Sequence, residues 1–326
     1  MQIIKNTLNK DSTSKYPISD KTCFIDIETT GLNRQYNSIY LIGMLYYEQD
    51  NWVLLQIFAD LIDEEEKVLT NFISLLSKYN KIITFNGDSF DIPFINYRLG
   101  KYGIFGEIKE ESSLDLYKIV KRNKDYLNLE NLKLKTLEKY IGIYRDDIYS
   151  GKECIDFYFE YTRTKNIELA QRVLKHNFDD LYYMPDIIKI LQIINEKKTL
   201  KIQINDFELS LLLHNINIKG DLFKLSGDID CQEQIKLLHF DNSFKLSFMD
   251  DNTFELVIEI NKGLVTPDTI GIYINLIDLN LSEGFIDYTS YNMPKNIILL
   301  KVENRYFMDN IMRVLKEIVL YTLSGY

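Results

Sequence analysis

Near its start the chain reads Phe24-Ile25-Asp26-Ile27-Glu28-Thr29-Thr30-Gly31-Leu32. The apolar, β-branched residues call for a buried strand, and in a strand residues i and i+2 point to the same face. Asp26 and Glu28 therefore stand side by side. Two like charges in a core-type strand repel each other and are costly to desolvate unless a cation lies between them. A divalent metal ion is the simplest such cation. Thr29-Thr30-Gly31 ends the strand and lets the backbone come close to a ligand. A plainer reading of the same residues is a strand end carrying two solvated acids.

Two further segments add chemistry. Lys81-Ile82-Ile83-Thr84-Phe85-Asn86-Gly87-Asp88-Ser89-Phe90-Asp91-Ile92-Pro93-Phe94 reads as a strand, a turn at Asn86-Gly87 and a helix start. Asp91 lies near the cap and Pro93 in the first turn. Asp91 is open to a capping role alone. His176-Asn177-Phe178-Asp179-Asp180 places His176 and Asp180 four apart, on one face of a helix. Asp179 points elsewhere and is read as solvated.

Asp26 and Glu28, then Asp91 in Asn-Gly-x-x-Phe-Asp, then Asp180 with His176 four before it, resemble the DEDD exonucleases of the ribonuclease H-like fold. Leu129-Glu130-Asn131-Leu132-Lys133-Leu134-Lys135-Thr136-Leu137-Glu138-Lys139-Tyr140-Ile141-Gly142-Ile143, then Arg145-Asp146-Asp147-Ile148, Gly151 and Tyr158-Phe159-Glu160-Tyr161, look like the YprB-type branch of that superfamily. The resemblance covers residues 20–197. Many DEDD enzymes carry a His five before the last Asp and others a Tyr four before it. His176 occupies the Tyr-type spacing, so the base is assigned less directly than the metal-holding acids.

The resemblance implies a metal-dependent 3′–5′ exonuclease. Phosphodiester hydrolysis needs activated water and a stabilised, doubly charged phosphorus centre, which two divalent ions about 3.5–4 Å apart supply. Hard oxygen ligands select Mg²⁺ or Mn²⁺. By the resemblance, Asp26 bridges both ions, Glu28 and Asp180 complete the first site, and Asp91 holds the second. His176 orients or deprotonates the attacking water, since imidazole ordinarily titrates near neutrality. Thr29 and Leu32 hold the terminal nucleotide, while Asn86 and Phe90 shape the substrate site. Asp115 is read as a helix cap or structural. The expected partner is the single-stranded 3′ end of DNA or RNA. Two alternatives stay open: a catalytically silent nucleic-acid-binding module on the same fold, and a structure-specific endonuclease.

At 326 residues the chain is long enough for two domains. No apolar run approaches the ~18 residues of a membrane span, and the first ten residues lack the apolar region of a secretory signal. Cys23, Cys154 and Cys231 form no metal spacing and suit a reducing compartment as small core fillers. A cytoplasmic protein is therefore expected. The net charge of −10 argues against nonspecific coating of nucleic acid but not against a nuclease whose acids hold metals. Lys118, Lys121, Arg122, Lys124, Lys133, Lys135 and Lys139, interleaved with Tyr117, Tyr126, Tyr140 and Tyr144, are open to strand binding, with an ordinary solvated helix face and core tyrosines as the favoured reading for any one of them.

Residues 1–19 read as a loosely held lead-in. Strands are expected at 22–28, 39–47, 52–59 and 81–86, with helices at 64–79 and 91–101 and several more over 114–196. Glu64, Glu65 and Glu66 suit the positive end of a helix dipole. The sum is an α/β ribonuclease H-like mixed sheet flanked by helices over 20–197. After residue 197 helical spacing gives way to alternation. Phe207, Leu209, Leu211 and Leu213 share a face. Phe244, Leu246 and Phe248 are joined through Asp250-Asp251-Asn252 to Phe254, Leu256, Ile258 and Ile260 as a hairpin. A strand at 271–276 and an amphipathic helix bearing Phe307, Ile311, Val314, Leu315, Ile318 and Val319 follow. Residues 198–326 thus form a β-rich accessory domain with a C-terminal helix, open to substrate positioning or to a protein partner. His214 and His239 stand alone and are read as structural.

Overall fold

The computed structural model describes residues 1–9, 19–145, 149–204, 207–231, 235–281 and 285–323. The chain divides into two compact units, one of Met1–Arg122 with Leu129–Leu191 and one of Asn123–Asn128 with Gln192–Tyr326. The basic and tyrosine-rich stretch 117–144 is therefore split between them. Asp146, Asp147 and Ile148 lie outside the described residues.

The first unit is built on strands β1 (Gln2–Leu8), β2 (Thr22–Thr29), β3 (Ile39–Glu48), β4 (Asn51–Phe58), β5 (Lys81–Thr84) and β6 (Ser113–Asp115). Their order is β1-β4-β3-β2-β5-β6. The first four run antiparallel, and β5 and β6 join parallel to β2. The helices in chain order are α1 (Glu65–Leu76), α2 (Asp91–Tyr102), α3 (Leu116–Arg122), α4 (Lys124–Leu127), α5 (Leu134–Tyr140), α6 (Gly151–Thr164), α7 (Ile167–Ile187) and α8 (Lys189–Lys198). All but α4 and the larger part of α8, from Gln192 on, belong to this unit.

Strand β3 is buried over eight of its ten residues, because it lies inside the sheet with helices packed against it. Val68, Leu69, Phe72 and Leu76 of α1 pack with Ile25, Ile42, Ile57 and Leu99 in one core. The lead-in expected over residues 1–19 begins instead with β1, paired with β4 from Gln2–Phe58 to Leu8–Trp52. Its burial alternates, as an edge strand's should. The turn-like residues after it fall at 10–18, outside the described residues.

The acidic run Glu64-Glu65-Glu66, expected at the positive end of a helix dipole, has a further structural role in the core. Glu65 is fully buried. It is ion-paired to buried Arg98 of α2, accepts from Tyr102 Oη at 3.0 Å and caps the Ile39 N–H at 2.7 Å. Sequence periodicity does not reveal this, because the partners lie far apart in the chain.

The second unit contains a six-stranded antiparallel sheet, β7 (Thr199–Ile204), β8 (Phe207–Lys219), β9 (Leu222–Cys231), β10 (Leu237–Phe240), β11 (Phe244–Phe248) and β12 (Thr253–Glu259), in the order β10-β11-β12-β9-β8-β7. A second sheet is formed by β13 (Asn261–Thr266), β14 (Thr269–Asn275), β15 (Ile297–Val302) and β16 (Arg305–Tyr306), and α9 (Met308–Leu323) closes the unit. The β11–β12 hairpin pairs Phe244 with Ile258 and Phe248 with Phe254. It turns at Asn252, which adopts the left-handed conformation. The apolar stripe of α9, Ile311, Val314, Leu315, Ile318 and Val319, is core. The fold is thus a ribonuclease H-like mixed α/β sheet with flanking helices, plus β-rich sheets and a C-terminal helix. Among the described residues no helix is long and apolar enough to cross a membrane.

Candidate active site

The site is organised by one row of residues across the sheet. Asp26 of β2 lies opposite Gly43 of β3, and Gly43 lies opposite Gln56 of β4. Helix α7 crosses this row and places the buried Asn177 over the glycine. A Cβ on Gly43 would overlap Asn177 Oδ1 and Leu181 Cδ1, so only glycine lets the helix approach this closely. Asn177 Nδ2 then donates to Asp26 Oδ2 at 2.8 Å and more weakly to Asp26 O at 3.3 Å. Its Oδ1 accepts from Gln56 Nε2 at 2.8 Å, and Gln56 Nε2 also reaches the Leu174 carbonyl at 2.8 Å. Val173, Asn177, Leu181 and Met184 form the buried face of α7. His176 and Asp180, one residue back in each turn, stand at the border of that face, partly exposed.

Asp91 opens α2 and is 6% exposed. Strand β5 pairs with β2 only as far as Phe24–Ile83. Beyond that point the Ile27 N–H donates to Asp91 Oδ1 at 3.2 Å. Asp91 thus caps a strand rather than only its own helix. Asp115, at the end of β6, accepts from the backbone of Asn86 (2.8 Å), Asp88 (3.2 Å) and Tyr117 (2.9 Å). It pins the turn in which Asn86 is left-handed and acts as the structural acid expected of it. Phe90 is half-buried and packs on Phe94, ring centroids 5.5 Å apart. Thr29 is buried, its hydroxyl donating to the Gly31 carbonyl at 2.9 Å. A Cβ on Gly31 would overlap the Asn37 side chain, so its close approach serves the loop itself. Leu32 projects from that loop 86% exposed.

The four acids share one electrostatic field. The Asp26 carboxyl is raised well above its ordinary value, first by burial, then by the charges of Asp180, Asp91 and Glu28, with the Asn177 hydrogen bond opposing. Asp91 is raised to about 7, chiefly by burial, then by Asp115 and Asp180, against the backbone hydrogen bonds that it accepts. His176 Nε2 lies 3.8 Å from Glu28 Oε1. Asp26, Glu28, Asp91, His176 and Asp180, separated by up to 154 positions in the chain, come together. Asp179 turns away and pairs with Lys175 at 2.6 Å.

The structure also adds residues that the motif reading missed. Asn177 and Gln56 fix Asp26. Arg145, nearly buried, donates through Nη2 to Asp180 Oδ1 at 2.5 Å and through Nε to Glu138 Oε2 at 2.7 Å. The signals available in sequence were Asn177 inside the motif and Gly43 as a lone glycine in an apolar strand; neither showed its partner.

The donor set is all carboxylate oxygen with one imidazole beside it, and burial, with repulsion after it, raises Asp26 and Asp91. That chemistry fits hard divalent cations. The side chains as placed do not yet form a closed cage: among the described residues no three His, Cys, Asp or Glu groups stand ready to hold a metal ion. Asp26, Asp91 and Asp180 are each held by a protein donor instead.

The family model described as the RNase_H superfamily matches residues 23–192, which spans all five of these residues. No curated protein matches. Among solved structures, a family B DNA polymerase from the archaeon Pyrobaculum calidifontis is 15% identical with a TM-score of 0.45, over 55% of this chain and 25% of the polymerase. Exonuclease I is 14% identical with a TM-score of 0.31, over 63% of this chain and 55% of that one. The E. coli exonuclease I–ssDNA complex with bound zinc ion is 14% identical, again with a TM-score of 0.31, over 63% of this chain and 54% of that one. The chain therefore spans about a quarter of the polymerase and about half of exonuclease I.

Proposed function

The chain belongs to the ribonuclease H superfamily, and from that premise we propose that it is a divalent-metal-dependent 3′–5′ exonuclease of the YprB-type branch, acting on single-stranded ends of DNA or RNA. The observation that carries this reading is the acid cluster. Asp26, held in place by Asn177, lies in the field of Asp180, Asp91 and Glu28. A fold that gathers four carboxylates, with Asp26 and Asp91 raised by burial and by neighbouring charge, has the character of a functional site.

Asp26, Glu28, Asp91 and Asp180 would hold Mg²⁺ or Mn²⁺, which when bound supplies Lewis acidity to the phosphate and acidifies the attacking water. His176, beside Glu28, takes the proton from that water as its oxygen attacks phosphorus. The P–O3′ bond breaks, the phosphate leaves on the released 5′-mononucleotide, and the 3′ oxygen takes a proton from solvent water to end as a hydroxyl on the shortened strand. Asn177 and Gln56 keep Asp26 oriented, so part of the positional entropy is removed before substrate arrives. Exposed Leu32, with Thr29, would hold the terminal nucleotide. Residues 20–197 would be the nuclease domain and 198–326 an accessory domain that positions substrate or a protein partner.

The test uses 5′-labelled single-stranded DNA and RNA of equal sequence with Mg²⁺, Mn²⁺ or EDTA, and Asp26→Ala in parallel. A metal-dependent ladder shortening from the 3′ end and lost in the variant is the expected result. A second reading, a silent binding module, draws on the absence of a closed metal cage among the described residues. Tight strand binding without cleavage by the intact protein would favour it, and release of internal fragments would favour an endonuclease.

A further inference from the structure

Arg145 sits in the acidic cluster without being called for by its chemistry. Its Nη2 donates to Asp180 Oδ1 at 2.5 Å, its Nε to Glu138 Oε2 at 2.7 Å, and its guanidinium lies 5.9 Å from the centroid of the Tyr183 ring. Glu138 comes from α5 and is 1% exposed. A buried carboxylate is costly unless paired, and Glu138 pairs with this arginine. Arg145 is thus shared between a carboxylate outside the cluster and one inside it. Asp26 is engaged by Asn177 and Asp91 by the Ile27 amide, both neutral donors. Asp180 alone of these three is held by a full positive charge.

We propose that Arg145 is the resident cation of the metal-free site, competing with the divalent ion for Asp180 and retained by Glu138 when it yields. This rests on the reading of Asp180 as a metal-holding residue. Guanidinium stays charged at any working pH, so the competition is built in rather than switched by protonation. Release of Asp180 would be costly if it left Arg145 unpaired in a nearly buried position. Glu138 removes that cost by keeping one charge-assisted, near-planar contact. The arginine can therefore give up Nη2 without leaving the site.

Removing Arg145 and removing Glu138 should act in opposite directions, which loosening of the structure would not produce. In Arg145→Gln the competitor is gone, and Mn²⁺ binding to metal-free protein, read from the free-ion electron paramagnetic resonance signal, should tighten by roughly tenfold. In Glu138→Gln the arginine loses this carboxylate and leans more on Asp180, so Mn²⁺ should bind several-fold more weakly. Arg145→Lys, which keeps the charge, should stay close to the wild type and serves if the glutamine variant fails to fold, as judged by circular dichroism. In an Asp180→Asn background, Arg145→Gln should produce no tightening. Equal or weaker Mn²⁺ binding by Arg145→Gln, with clear binding by the wild type, overturns this proposal and leaves the metal-site reading intact. Absence of Mn²⁺ binding in every form overturns both.

Discussion

Replacing Asp91 by Asn should stabilise the metal-free protein while abolishing its proposed activity. Asp91 is 6% exposed, and its contact with the Ile27 N–H can be kept by the amide oxygen of Asn, so the change removes charge but little shape. Burial foremost, and the neighbouring acids after it, raise its carboxyl from 3.8 to about 7. An acid whose folded-state pKa is raised keeps its proton in the folded state where the unfolded chain has lost it. Stability is then lost as pH rises from about 4 to about 7. Each pKa unit corresponds to about 1.4 kcal/mol, so roughly three units set a ceiling of about 4 kcal/mol at pH 8. Because Asp26 titrates in the same field, the proton is shared and the gain from removing one acid should be about 1–3 kcal/mol. Urea unfolding in EDTA at pH 8 and pH 4 measures it: a higher midpoint for the variant at pH 8 that shrinks towards zero at pH 4. Adding Mn²⁺ should then raise the wild-type midpoint more than the variant's. A variant less stable than the wild type at pH 8, or a gain of equal size at both pH values, would refute the repulsion argument.

Arg98→Ala should lower stability by about 3–5 kcal/mol in a denaturant titration, because Glu65 is left charged and buried; the double variant Glu65→Leu with Arg98→Met should recover most of that loss. Gly43→Ala should cost about 1–3 kcal/mol by overpacking α7 against β3. It should also lower metal-dependent cleavage more than Gly100→Ala, a control whose added methyl meets no neighbour. His176→Ala should reduce the cleavage rate by about 10²–10⁴-fold with strand binding little changed in a fluorescence anisotropy titration; an unchanged rate would remove His176 from the proton-transfer role.

The parts of the fold with local periodicity were legible in sequence. The stripe Val68, Leu69, Phe72, Leu76 gives α1, and alternation through Phe244 to Ile260 gives the β11–β12 hairpin. The side-by-side placement of Asp26 and Glu28 follows from the two-residue period of a strand, and that of His176 and Asp180 from the helical turn. The N-terminal strand was not legible, because an edge strand is stabilised by its partner β4 more than by its own sequence. Nor was the burial of Glu65, whose partners Arg98 and Ile39 are 33 and 26 positions away.

By itself the sequence determined which chemical groups this protein has available and which neighbours share a face, because strand and helix periods are local properties of the backbone. The tertiary structure decided that Asp91 would cap Ile27, that Asn177 would rest on Gly43 to hold Asp26, and that Arg145 would stand between Glu138 and Asp180. The first two contacts join segments 64 and 151 positions apart, and the third joins Arg145 to Asp180, 35 positions away, and to Glu138 seven before it. The Asn177 contact depends on how closely α7 can approach the sheet, a distance set by packing and by the absence of one Cβ, which no local period encodes.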